Sequence, residues 1–208
     1  MKIDHHLHTA KHSTDSTITD AELVAAARAA GLDGVVITDH DHQWDEYELA
    51  EIRLLAPELL ILSGVEVSTK QGHFLTYGLP YYQGGRPDLD LRDLIAVADE
   101  YGAAVVVAHP FRFDRNFGVD FRQIMAEFGP AFAAIEVASN NITPAVQRQI
   151  AEFVMPLDAR GAAVRQTASS DAHVAKFVGS RYTLFDAEIS SMAEFVAALK
   201  SGCFSPRY

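Results

Sequence analysis

Cysteine is almost missing from this 208-residue chain, with Cys203 standing alone. One thiol permits no internal disulfide and no thiolate metal cluster, which fits a reducing compartment and leaves histidine and carboxylate to hold any metal. Long apolar runs are missing too. No stretch approaches the roughly 20 uninterrupted apolar residues of a spanning helix. The opening Met1-Lys2-Ile3-Asp4-His5-His6 meets charge at once, unlike a signal peptide, so the expected setting is the cytoplasm without a membrane. Basic residues are scarce, 17 against 28 acidic, a net charge of −11. That field repels anionic membranes and nucleic acid at long range, and no extended basic stripe or aromatic platform offsets it. Processive work on nucleic acid is therefore not expected, whereas a local basic pocket is allowed. Repeats and low-complexity segments are also lacking. With 49% apolar and 22% charged residues the chain has an ordinary globular balance, read as one domain over residues 1–208.

Histidine is what the chain has. Four of nine, His5, His6, His8 and His12, fall in the first dozen residues, followed by His40, His42, His73, His109 and His173.

Short apolar runs alternate with stretches of helical spacing. The strand candidates are Lys2–Leu7, Gly34–Thr38, Leu60–Val67, Phe74–Leu79, Ala103–Ala108, Ala134–Ala138, Ala163–Ala168 and Arg181–Phe185. The first helix starts at a Thr19–Glu22 capping box and ends at Gly31; others cover Asp45–Ala56 before Pro57, Leu91–Tyr101 before Gly102 and Phe121–Phe128 before Gly129. Thr143-Pro144 opens a fifth, and a second capping box at Ser191–Glu194 opens a sixth that ends near Lys200. Pro80–Asp88, which includes Pro87, reads as a long surface connection. Such alternation predicts a parallel sheet covered by helices, either open or closed into a barrel. Polar residues choose between the two. They leave the carboxyl ends of at least five strands, whereas an open sheet gathers ligands at one switch point, so a barrel rim is expected. His73 precedes its strand, but the connection after Val67 is too short for a parallel crossover. A hairpin follows, and it returns His73 to the rim of Glu66.

Five motifs carry chemistry. His6-Leu7-His8 places two imidazoles on one face of a strand end, where both reach one cation. Thr38-Asp39-His40-Asp41-His42 is a polar run beyond an apolar strand, costly to bury without a partner. Gly64-Val65-Glu66 and Ala108-His109-Pro110 each end a strand, and Ser169-Ser170-Asp171-Ala172-His173 offers an Asp and a His two residues apart. Each alone also reads as solvated surface. Their shared polarity of placement makes the joint signal strong.

These motifs resemble the PHP (polymerase and histidinol phosphatase) family of metal-dependent phosphoesterases. The matching segments are Asp4-His5-His6-Leu7-His8-Thr9, His12-Ser13-Thr14-Asp15-Ser16, Ile37-Thr38-Asp39-His40-Asp41, Gly64-Val65-Glu66, Gly72-His73-Phe74-Leu75, Ala108-His109-Pro110 and Ser170-Asp171-Ala172-His173. The resemblance implies an α/β fold of distorted (β/α)7 barrel type, a centre of two or three divalent ions and phosphate-ester hydrolysis. Carried over by position, it implies metal ligands at His6, His8, Asp15, His40, Glu66, His73, His109, Asp171 and His173, with Glu66 bridging. His5, His12 and His42 match no ligand position.

Mixed imidazole and carboxylate ligands without sulfur suit Mn, Fe or Zn and do not distinguish the three. The expected chemistry is hydrolysis by a metal-activated water, with Glu66 and Asp171 at the reacting centre and no protein nucleophile. Ser169 and Ser170 lack the Gly-x-Ser-x-Gly elbow and read as hydrogen-bonding residues. Arg112 is the first choice for gripping phosphate, ahead of Arg115, Lys176 and Arg181. Glu136, Asn140 and Asn141 end another strand and line the pocket or cap the next helix. The expected substrate is a small phosphorylated metabolite, a nucleotide or a short oligonucleotide. The competing readings are another metal-dependent hydrolase of an amidohydrolase-like barrel, disfavoured because no lysine sits at a matching strand end, and a non-catalytic metal-stabilised regulatory module.

Overall fold

A computed structural model describes residues 1–86, 88–112, 120–159 and 164–208, and of 155–159 the backbone alone. Pro87, Arg115 and Ala163 lie outside the described residues.

Among the described residues ten strands form two five-stranded sheets, accompanied by six α-helices. The first contains β1 (Lys2–Asp4), β2 (Gly34–Ile37) and β3 (Leu60–Ser63), mutually parallel in that order. The helices α1 (Asp20–Ala29) and α2 (Glu46–Leu55) connect them. The second begins with the antiparallel pair β4 (Val65–Thr69) and β5 (Gly72–Tyr77), as the short connection predicts. It continues through β6 (Ala104–Val107), β7 (Ala134–Ala138) and β8 (Gln166–Ala168), the last three parallel. Helices α3 (Leu91–Tyr101), α4 (Phe121–Phe128) and α5 (Pro144–Ala159) lie between these strands in sequence. The chain then returns to the first sheet by β9 (Tyr182–Phe185), antiparallel to β1, and β10 (Phe204–Arg207), with α6 (Met192–Ser201) between.

The helix signals read from the sequence act as expected, with one exception. Thr19 and Glu22 form a reciprocal capping box, and α2 is started by a second one made by Asp45 and Glu48. At α6, Ser191 caps Glu194, but the Glu194 carboxylate accepts from the Ser190 N–H at 2.7 Å, so the expected box is only half present.

Two of the departures from the expected strands shape the site, while β5 starts two residues earlier and ends two earlier than expected and β8 is shorter. The run Leu60–Val67 is divided at Gly64, where a Cβ would lie 2.5 Å from the Tyr77 ring, so the chain passes from one sheet to the other at a residue without a side chain. The run Lys2–Leu7 leaves its ladder after Asp4, and Leu7 instead makes an isolated parallel bridge to Ala172. The backbone bonds Asp171 N to His6 O (2.7 Å) and His8 N to Ala172 O (3.0 Å) fix that bridge. A second parallel bridge joins His40 to Glu66. Among the described residues the strands thus form two sheets joined by isolated bridges at the motif-bearing ends, and not one closed sevenfold ring. β10 lies outside the expected strands, and its Pro206 is tolerated because, among the described residues, β10 is an edge strand paired with β9 alone.

Candidate metal centre

His6 and His8, just beyond β1, are fully buried, and their Nε2 atoms lie 3.2 Å apart. Glu66 on β4 places Oε2 at 3.3 Å from the first and 3.1 Å from the second. Asp171, beyond β8, places Oδ1 at 3.3 Å from both. Ligands 2.0–2.1 Å from a tetrahedral cation are separated by about 3.3 Å. Five edges of one tetrahedron therefore have the length that such a cation imposes. Asp171 Oδ1 is buried and has no hydrogen-bond partner, although two ring nitrogens are near it.

Glu66 is the hub. Its Oε2 also meets His40 Nδ1 at 3.1 Å, while Oε1 meets His73 Nδ1 at 2.8 Å and His109 Nε2 at 2.9 Å. One buried carboxylate thus touches five imidazoles, and its two oxygens serve two neighbouring groups of ligands. His73 reaches it because the β4–β5 hairpin pairs Ser68 with His73. Outermost stands Asp15, whose Oδ2 is 3.3 Å from both His40 Nε2 and His173 Nε2. Its side chain is 55% exposed, whereas those of Glu66 and Asp171 are 1% exposed. All nine residues expected as ligands are assembled in one cluster.

The surroundings hold these groups in place. Glu136 on β7 was expected only to line a pocket, yet its Oε1 accepts from His6 Nδ1 at 3.0 Å and its Oε2 from the His109 backbone N–H at 2.8 Å. Ser169 donates to it as well. A carboxylate on Nδ1 fixes the tautomer that leaves Nε2 free for a cation. Asp39 accepts from Thr9 N–H, the Thr9 hydroxyl, the Ser13 hydroxyl and the Trp44 indole, all within 2.6–2.7 Å, and Ser13 reaches His8 Nδ1 at 3.2 Å. Asp4 accepts from the backbone N–H groups of Ser170 and Gly179, anchoring the loop that carries Asp171. Strain gathers at the same ends. His109 (φ 26°), Asp171 (φ 51°) and Asp41 (φ 51°), beside His40, are left-handed without being glycine.

The charged groups of the cluster shift one another strongly. Burial raises the pKa of Glu66, but His6, His73, His109 and His40 outweigh it and hold the carboxyl well below its usual range. Burial disfavours charge on His8, yet the adjacent carboxylates of Asp171 and Glu66 push its pKa up to about 9. Burial likewise opposes charge on His6, and Asp171, Glu136 and Glu66 carry it well above normal. In such a cluster protonated imidazoles and bound cations are alternative ways to balance the carboxylates. Replacing Glu136 with Gln should consequently weaken ion binding by on the order of 10–100-fold. Competition with a chromophoric chelator measures this, and an unchanged affinity would reduce Glu136 to a packing role.

The remaining candidates divide. Arg112 Nη1 lies 3.9 Å from Asp171 Oδ2 with 42% of its side chain exposed, at the edge of the cluster. Arg181 donates to Asn140 Oδ1 at 2.5 Å, and Lys176 lies over the Phe177 ring, so both are engaged away from the ligands. Asn141 donates to Asp171 Oδ2 at 2.5 Å, an orienting contact on a ligand. Ser170 donates its backbone N–H to Asp4, which fits a structural role. His5 is buried against Tyr77 and Thr183 on the other face of its strand, and burial lowers its pKa to about 4. His12 and His42 form a separate cluster with Glu48.

Residues 4–137 match the PHP domain and residues 159–203 the PHP-associated family. Among curated proteins no relative matches the sequence. Solved structures share the fold at low identity. A two-domain protein from Bacteroides vulgatus, containing a predicted PHP-like metal-dependent phosphoesterase, is 18% identical with TM-score 0.69. The match covers 100% of this chain and 64% of that one, so the present chain spans less than two thirds of its length. PsfC from Pseudomonas syringae is 18% identical with TM-score 0.70 over 100% of this chain and 91% of that chain. Endonuclease Q, in complex with a 27-mer duplex bearing an abasic lesion, is 17% identical with TM-score 0.64 over 96% and 56%. Since the PHP model covers most of the chain, with the histidines and carboxylates of the cluster largely inside it, the chain belongs to the PHP domain family.

Proposed function

We propose that this chain hydrolyses a phosphate ester with water activated by two or three divalent ions of the Mn, Fe or Zn class. The observation that carries the reading is the tetrahedral spacing of His6, His8, Glu66 and Asp171, continued through Glu66 to His73 and His109. When bound, the ions supply Lewis acidity that lowers the pKa of water and neutralises phosphate oxygens. Glu66 would space two of them, Asp171 and the imidazoles would hold them, and Asp15, His40 and His173 would complete an outer, more exposed set. Three carboxylates among nine ligands leave a net positive charge once ions are bound, which attracts an anionic substrate through a chain of net charge −11. We further read the two bridged sheets as a distorted (β/α)7 barrel and residues 1–208 as one domain.

Arg112 grips phosphate in this reading. Its guanidinium is exposed and lies outside the ligand set, so Arg112→Ala should lower kcat/KM by roughly tenfold, a loss of about 1.4 kcal/mol, with ion content unchanged. Wild-type kinetics in a fully loaded variant would remove Arg112 from the site.

A small phosphorylated substrate fits the acidic surface best. A second reading, cleavage of a nucleic-acid phosphodiester, draws on the shared fold of the endonuclease Q complex. Reconstituted protein assayed on aryl phosphate monoesters, aryl diesters and a short abasic duplex separates the two. No turnover of any of these by ion-loaded protein would favour a regulatory role for the domain.

A further inference from the structure

Outside the centre, three more ligand-type side chains converge from three elements. His12 Nε2 lies 2.6 Å from Glu48 Oε1, and His42 Nε2 lies 3.9 Å from Glu48 Oε2. Their nearest ligand atoms all fall within 4.8 Å of one another. The Glu48 carboxylate is held in position, because Oε2 also accepts the Asp45 N–H at 3.1 Å in the capping box of α2. His42 Nε2 is buried and has no hydrogen-bond partner, so one ring nitrogen facing this carboxylate is left unused. Each of the three side chains is about one-fifth exposed, which leaves an approach from solvent.

We propose that His12, His42 and Glu48 form a separate site for a divalent transition ion, distinct from the catalytic cluster. Two imidazoles and one carboxylate select Zn, Co, Ni or Cu over Mg, whose preferred shell is oxygen. The imidazole rings are now stacked, 3.5 Å between centroids and 17° between planes, whereas His8 and His173 in the main cluster stand 4.3 Å apart. Binding therefore displaces the proton between His12 and Glu48, turns the rings apart and brings the carboxylate toward His42. Both ligand-bearing loops also carry the outermost set of the centre, Asp15 beyond His12 and His40 before His42. The proposal stands on this geometry and does not depend on the hydrolytic reading.

Trp44, the single tryptophan, reports on the site, since its ring lies 5.9 Å from His12 edge to face. In protein whose central sites are first filled with Zn²⁺, dialysis against further Zn²⁺ should add one equivalent beyond the central two or three. His42→Asn and Glu48→Gln should each lack that equivalent, with central ion content and aryl-phosphate turnover unchanged. Mg²⁺ should add nothing. Co²⁺ added to the Zn-filled protein should quench Trp44 emission in the wild type and leave it unaltered in both variants. Wild-type protein that takes up no ion beyond the central set, with Trp44 emission unaffected by Co²⁺, would overturn the site. So would variants that retain the added equivalent. If either variant misfolds, the wild-type count and quench decide the matter alone.

Discussion

Glu66→Gln is expected to lower phosphate-ester hydrolysis by on the order of a hundredfold or more, a barrier increase of about 2.7 kcal/mol, in a protein that still folds. The substitution keeps the size of the side chain and one oxygen. It removes the charge that five imidazoles share and that would offset two cations at once. The amide nitrogen would also confront a ring nitrogen or an ion with the wrong polarity. Ion content and rate belong in the same sample, because losing one ion and losing its spacing both follow from the same lost bridge. Near-normal ion content together with near-normal turnover would displace Glu66 from the bridging position, leaving Asp171 or Asp15 to fill it.

Removing the ions should lower the melting temperature by roughly 10 °C. An ion present at a thousand times its Kd contributes about 4 kcal/mol to the folded state. Each kcal/mol moves a chain of this size by about 2–4 °C. Chelation followed by calorimetry measures it, and an unchanged transition would mean that the cluster is stable without cations. The stripped protein should also acquire a pH dependence that the loaded form lacks. The pKa of His8 in the folded protein is raised to about 9 by its carboxylate neighbours. A raised folded pKa adds stability that is complete below the unfolded value near 6.5 and is lost as pH rises toward 9. The ion-free protein should therefore weaken between about pH 6.5 and 9, while the loaded protein, with imidazoles deprotonated on their ions, changes little there. Equal slopes for both forms would contradict the proton-for-cation exchange.

Most of the cluster was legible because histidines and acidic residues stand out at the ends of apolar strands. His6, His8 and Asp171 need only the alternation of a strand and the polarity of a parallel sheet, and His73 needs only the shortness of a hairpin connection. Glu136 was undervalued for the opposite reason. A glutamate at the end of Ala134–Ala138 has no local pattern that distinguishes a pocket wall from a partner of His6, and the contact spans 130 residues. The backbone was legible in its helix caps and less so in its strands. Apolar composition marks where a strand can run, but the exchange of partners at Gly64 depends on the Tyr77 ring across the sheet. β10 is concealed by Pro206, whose meaning depends on whether its strand has one neighbour or two.

The partition of the ligands between the sheets has a mechanical consequence. Asp15, His6, His8 and His40 belong to segments of the first sheet, while Glu66, His73 and His109 belong to the second. Cations held among them would act as rivets across a seam that, among the described residues, backbone pairing crosses at isolated bridges. With the rivets in place, amide hydrogens of β2 and β6 should exchange through one shared opening. Without them the two halves should open as separate units, each at its own rate.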